Sequence, residues 1–335
     1  MFKKCLTLTL LIGMAKFAFA APLLINGAGA TFPYPIYSKW FNVYSQSNPE
    51  VNFNYQSIGS GVGIKQITAK TVDFGASDGP MTEDQLAEAP GRIYHIPMVM
   101  GADVVSYNVA GVEQGLKLTP DVIADIFLGK ITKWNDSRIT SQNPSMSLPN
   151  EDIIVVHRSD GSGTTYIWTD YLSSISSEWK SKVGKGTSVN WPTGLGGKGN
   201  EGVAGIIKQT QGSMGYIELS YAIKNNLPYA SIQNKSGNFI EPSLESTSKA
   251  ADGVVIPDDF RVSLVNGSNE EAYPIAGFTW LLIYKNMDNA TKGKAIVDFI
   301  KWAVHEGQEY TADLHYAALP ANVIEMIDQK LEQVK

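Results

Sequence analysis

The chain has 335 residues, 43% hydrophobic and 18% charged, an apolar share that can fill a core and excludes a disordered chain. Its formal charge of −6 leaves no basic footprint for nucleic acid. A single cysteine excludes a disulfide framework and a cysteine-based zinc cluster, and the four histidines lie scattered, without metal-ligand pairing.

Met1–Ala20 reads as a secretory signal peptide. Lys3 and Lys4 give the basic start, Cys5–Met14 an apolar run too short to span a bilayer, and Ala18-Phe19-Ala20 a small-x-small cleavage site. Cleavage after Ala20 removes three lysines and no acid, leaving an exported, cysteine-free chain that is more acidic by three charges. Further on, short apolar runs alternate with helical patterns, which predicts βα units and largely parallel sheets. Val104-Val105, Ile153–Val156 and Leu281–Tyr284 read as strands buried on both faces. Thr119-Pro120-Asp121 predicts a helix with Thr119 as cap, Pro120 as first helical residue and Gly129 as stop. Asn200-Glu201 opens another helix. Ile296, Phe299, Ile300 and Ala303 share one face of a helix predicted to end at Gly307. Residues 236–269 are polar and irregular and read as long surface loops.

Three segments place glycine and hydroxyl residues where a helix begins. They are Gly27-Ala28-Gly29-Ala30-Thr31-Phe32-Pro33, then Ile58-Gly59-Ser60-Gly61-Val62-Gly63, then Arg158-Ser159-Asp160-Gly161-Ser162-Gly163-Thr164-Thr165 directly after the Ile153–Val156 strand. A helix start carries unpaired N–H groups and about half a positive charge. Glycine lets backbone approach a ligand closely, hydroxyls add donors, and the Arg158 guanidinium can hold two oxygens of an anion side by side. Together they describe an oxyanion site, although any one of them alone reads equally as a capped turn. The third is not a Walker loop, because no Gly-Lys-Ser/Thr follows, and Gly196-Gly197-Lys198-Gly199-Asn200 misses that pattern too. Gly75-Ala76-Ser77-Asp78-Gly79 matches the nucleophile-elbow pattern. An elbow needs a helix starting at the serine, however, and here Pro80 and a later cap at Thr82 intervene. Asp78 reads instead as an acceptor at a strand end.

In this order along the chain, these segments resemble the PstS family, the periplasmic phosphate-binding proteins of ABC transporters. Thr71–Asp78, Phe127–Ile131, Trp191-Pro192 with Gly194–Asn200, Gly215-Tyr216, and Tyr316 through Leu319-Pro320 extend the match over nearly the whole mature chain. The resemblance implies an α/β fold of the two-lobe type II periplasmic binding protein class, with the hinge crossed twice and the ligand between lobes. It implies lobe one at 21–98 and 276–335 and lobe two at 99–275. It also implies a phosphate-binding set of Thr31, Phe32, Ser60, Asp78, Arg158, Ser162, Gly163 and Thr164, with Asp160 supporting Arg158. Gly61 stands where relatives often have serine, which leaves the second loop freer to move. The expected partners are inorganic phosphate and the permease subunits of an inner-membrane ABC importer, with no cofactor, no metal, no nucleic acid and no catalysis. The expected location is the periplasm.

Hydrogen-bond arithmetic then gives a selectivity. Phosphate near neutral pH keeps at least one proton and sulfate keeps none. An ionised carboxylate only accepts, so Asp78 suits phosphate and opposes sulfate lone pair to lone pair. Arsenate also carries a proton and stays open as an alternative to phosphate; sulfate or molybdate fits less well, and a secreted hydrolase less still.

Overall fold

The computed structural model describes residues 21–335; the expected signal peptide and its cleavage site lie outside the described residues. Along the chain run β1 (Leu23–Gly29), β2 (Val51–Ser57), β3 (Phe74–Ser77), β4 (Ile93–Asn108), β5 (Lys117–Leu118) and β6 (Ile154–Arg158). They are followed by β7 (Leu195–Gly197), β8 (Ser213–Glu218), β9 (Ser231–Gln233), β10 (Phe239–Ile240) and β11 (Ala276–Tyr284). Eight of them form one sheet in the order β2-β1-β3-β11-β4-β8-β6-β7, and β10-β9-β5 form a small second sheet.

The expectation of a largely parallel sheet holds only at the two flanks. There β2-β1-β3 and β8-β6-β7 are parallel. The middle, β3-β11-β4-β8, is antiparallel throughout. The reason is connectivity: β4 carries the chain out of one half and β11 carries it back, and a strand out beside a strand back is antiparallel. β4 changes partner along its length. It pairs with β11 up to Ala102, opposite Ala276, and with β8 from Asp103, opposite Glu218. Both central strands are buried almost end to end, as their mainly apolar sequences require.

The helix at Pro120–Phe127 begins where expected, but Thr119 does not cap it through its side chain; the hydroxyl turns to Asp121 instead. Helix Ala290–Val304 stops before Gly307. Gly307 serves a different purpose, since its carbonyl takes the Trp40 indole N–H at 2.6 Å and a side chain there would crowd that ring. Residues 236–269, expected to be long surface loops, hold β10 and a short helix at Leu244–Ser248 and are irregular mainly beyond it. Phe260 is buried, its carbonyl accepts from the Trp280 indole, and Arg261 reaches the Met81 carbonyl and Glu83, all of these partners lying in the half that holds β1 and β3. Ser263, two residues on, donates to Asp170 in the half that holds β6. This segment is therefore a third tie between the halves. Among the described residues no helix is long and apolar enough to cross a membrane.

Candidate functional site

The glycine–hydroxyl segments all end in helices, and those helix starts meet. β1 ends at Gly29, and Ala30–Pro33 turn into helix Tyr34–Ser47. Gly59, at φ +96°, makes the turn that a side chain would strain and leads into helix Ser60–Thr68. β6 ends at Arg158, and helix Gly163–Ile175 starts after Ser162, whose hydroxyl accepts from the Thr165 N–H at 3.0 Å. Thr31, Phe32, Ser60, Asp78, Arg158, Ser162 and Thr164 are all buried, each at most 3% exposed.

These side chains make direct contacts across the two halves. Ser60 Oγ accepts the Gly163 N–H at 3.0 Å and the Asp78 N–H at 3.3 Å. A Cβ on Gly163 would lie 2.5 Å from the Asp78 backbone nitrogen, so only glycine permits this approach. The Gly61 N–H donates to the Gly161 carbonyl at 2.9 Å, which ties down the loop expected to be freer. Arg158 is gripped by Asp160 through two bonds, Nε–Oδ1 at 2.8 Å and Nη2–Oδ2 at 2.6 Å, and reaches Thr164 Oγ1 with Nη1 at 3.3 Å. Three of its five N–H groups thus have acceptors, and its terminal nitrogens retain two for an anion.

Two residues absent from the expected set complete the network. Asn200, fully buried at the start of helix Gly199–Gln209, donates through Nδ2 to Thr31 Oγ1 at 2.9 Å and to Thr164 Oγ1 at 3.1 Å. It bridges the first and third segments. Thr279, in the middle of β11, donates to Asp78 Oδ1 at 2.7 Å. The signal for Asn200 is a polar residue closing a glycine-rich turn at a helix start. For Thr279 the only signal is a lone hydroxyl in an otherwise apolar strand.

The electrostatics divide the roles. Burial draws the Arg158 pKa down, but the Asp160 carboxylate outweighs it and the net shift is upward. Burial likewise raises Asp160, and the Arg158 guanidinium reverses this to a net lowering. This pair stays charged. Asp78 is different: burial raises it to about 7, against lowering by the Thr279 hydroxyl, Arg158 and Ser60. It can therefore change its protonation near neutral pH.

Ser77 makes no elbow. Its hydroxyl is occupied with the Gly79 backbone, and the next helix begins at Glu83 behind a Thr82–Gln85 capping box. His95 accepts the Met81 N–H at Nε2 and is pulled down to about 3, by burial first and by Arg261 second. A nucleophile–base pair is not assembled there.

Two halves built on flanking parallel sheets, joined by a strand out and a strand back with a polar cluster at the junction, are the architecture of two-lobe type II periplasmic binding proteins. A family model described as a PBP superfamily domain matches residues 18–306. The phosphate-binding protein PstS of Haemophilus influenzae is 46% identical over 312 residues, covering 92% of both chains. PstS of Xylella fastidiosa is 46% identical over 307 residues, covering 91% of this chain and 84% of its own. A solved phosphate-binding protein from Stenotrophomonas maltophilia superposes with a TM-score of 0.70 at 20% identity, over 92% of this chain and 94% of its own. The chain belongs to the PstS family, and it is a solute-binding protein rather than an enzyme.

Proposed function

We propose that the protein is the periplasmic phosphate receptor of an ABC importer. In this reading it captures inorganic phosphate between its lobes and hands it to the permease subunits. The observation that carries the reading is an acceptor carboxylate, Asp78, placed among donors that come from both halves of the molecule. Lobe one comprises 21–98 and 276–335 and lobe two 99–275, with the crossing inside β4. The change of partner at Ala102/Asp103 supports a division a few residues beyond that boundary.

The ion is held by the backbone N–H groups at the starts of the helices after Thr31-Phe32, Ser60 and Ser162-Gly163, by the hydroxyls of Thr31, Ser60, Ser162 and Thr164, and by Arg158. Asp160 fixes the guanidinium plane, and Asp78 accepts the proton that phosphate brings. One proton is shared between ligand and carboxylate, whichever of the two carried it before binding. Most of the counter-charge is dispersed over peptide dipoles, which suits a ligand that has to be released again. The acidic chain offers no long-range attraction to an anion, so affinity arises within the cleft.

Thermal melting of the ligand-stripped protein tests this. Phosphate at a hundredfold excess over its dissociation constant is expected to add about 2.7 kcal/mol of stability, while sulfate at equal ionic strength and alkaline pH adds little. Equal shifts with both anions would replace the phosphate reading with a general oxyanion site, and no shift with either would remove it.

A further inference from the structure

Directly behind the cluster, at the point where β4 changes partner, two buried acids face each other. Asp103 and Glu218 are opposite one another in the antiparallel β4–β8 register, so their side chains emerge on the same face of the sheet as close neighbours. Both are fully buried. Among the described residues neither carboxyl oxygen of Asp103 has a hydrogen-bond partner, and Glu218 Oε1 has none either. None of the functions assigned so far uses them.

Glu218 is wired into the binding segments from two sides. Its N–H donates to Asn200 Oδ1 at 3.0 Å, and Asn200 holds Thr31 and Thr164. Its Oε2 accepts from Ser220 and from the Tyr316 hydroxyl at 3.2 Å, and that hydroxyl also lies 2.6 Å from the Phe32 carbonyl. The groups facing the pair are Asp78 from the end of β3, Arg158 from the end of β6, Tyr216 on β8, Tyr221 after it, Tyr273 before β11, and Tyr316. Arg158 is the single cation among them, and Asp160 already neutralises it.

Charge counting then decides the state of the pair. If Asp78, Asp103, Glu218 and Asp160 were all ionised around Arg158, the buried junction would carry three net negative charges before an anion arrived. Such a cleft would repel phosphate. Like charges in apposition without partners do not both ionise when buried. The individual tendencies agree. Burial, then the charges of Asp78 and Glu218, push Asp103 well up, and burial raises Glu218 to about 8 against its hydrogen bonds from Ser220 and Tyr316.

We propose that Asp103 and Glu218 form a proton-holding pair at the strand crossover, which keeps the cleft receptive to an anion while protonated and weakens it when one member ionises. The pair positions rather than touches the ligand: ionised Glu218 would pull on the Tyr316 hydroxyl and draw it from the Phe32 carbonyl in the first binding segment. Binding an anion draws a proton back onto the pair, and the buffer supplies it. The inference rests on the phosphate-receptor reading.

Calorimetry of phosphate binding at pH 8.5, in buffers of different ionisation enthalpy, reads the linked proton directly and needs no variant. Dibasic phosphate brings the proton that Asp78 accepts, so any net uptake belongs elsewhere. The expected result is uptake of a substantial fraction of a proton, and an affinity that falls about tenfold from pH 7.5 to 9.5. The double variant Asp103→Asn, Glu218→Gln is expected to abolish the uptake and flatten the fall. Binding that is tight, independent of pH and without proton uptake in the unaltered protein would overturn the pair while leaving the receptor reading intact. Absence of phosphate binding at every pH would instead overturn the receptor reading.

Discussion

Replacing Arg158 by alanine is expected to weaken phosphate binding about a thousandfold, which corresponds to about 4 kcal/mol. Among the described residues Arg158 is the cation that acts on both Asp78 and Asp103, is 3% exposed, and is oriented by the two bonds it donates to Asp160. Its removal takes away the one full positive charge facing the ligand and leaves Asp160 with neither of those bonds, so the folded state gains a half-buried, uncompensated carboxylate. The variant should therefore also melt at lower temperature without ligand. Arg158→Lys should recover only a small part of the affinity, because an ammonium cannot span the Asp160 carboxylate and the anion with one rigid fork. Titration calorimetry on the three proteins checks this. An Arg158→Ala variant that binds within tenfold of the unaltered protein would mean that the helix starts alone hold the ion.

The second large effect concerns selectivity and its pH dependence. On the proposed reading Asp78 excludes sulfate only while ionised, and its raised pKa of about 7 places that change within the accessible range. Above this value sulfate has to find the minority of molecules with a protonated Asp78, so its apparent affinity falls about tenfold per pH unit. Phosphate supplies the shared proton itself and does not lose affinity in this way. The ratio of sulfate to phosphate dissociation constants is therefore expected to rise about a hundredfold from pH 7 to pH 9. Any effect of the Asp103–Glu218 pair acts on both anions and cancels in the ratio. In Asp78→Asn the amide offers a donor to sulfate at every pH, so the ratio should be small and flat. Competition binding at three pH values measures it; a steep rise that persists in Asp78→Asn would assign the discrimination to another group.

The same raised values bear on stability. A carboxyl whose folded pKa lies above its unfolded value contributes stability that is fully present below the unfolded value and is lost as pH rises through the folded one. For Asp78 that loss runs from about pH 4 to about 7, and for Glu218 up to about 8. The acids at the junction thus favour the folded protein under acidic rather than alkaline conditions, opposite to the Arg158-paired Asp160.

Much of the candidate site is legible because its signals are local. Glycine and hydroxyl residues at helix starts announce themselves within a few positions, and so does an arginine closing a β-branched run. Thr31, Ser60, Arg158, Ser162 and Gly163 could thus be picked out before any fold was known, and their order along the chain carried the resemblance. What brings them together is not local. Asn200 bridges Thr31 and Thr164 only because the fold places its helix start between theirs. Thr279 is one hydroxyl in a run of apolar residues, and its meaning depends on β11 lying beside β3. The antiparallel centre of the sheet departs from the expectation of a largely parallel one, because unbroken apolar runs report burial on both faces and not strand direction. The opposition of Asp103 and Glu218 depends on register between distant strands, which no window of sequence contains. Gly307, taken for a helix stop, is small for the sake of Trp40 in a helix far away in sequence.

A crystal structure of the protein grown with phosphate at mildly alkaline pH addresses the core of this account most directly. The expected complex has the ion enclosed at the junction of the lobes, one oxygen within short charge-assisted hydrogen-bond distance of Asp78, roughly 2.5–2.7 Å, and the remaining oxygens met by Arg158, the hydroxyls and the helix-start N–H groups. Phosphate seated elsewhere, or enclosed there with Asp78 turned away from every one of its oxygens, would contradict it.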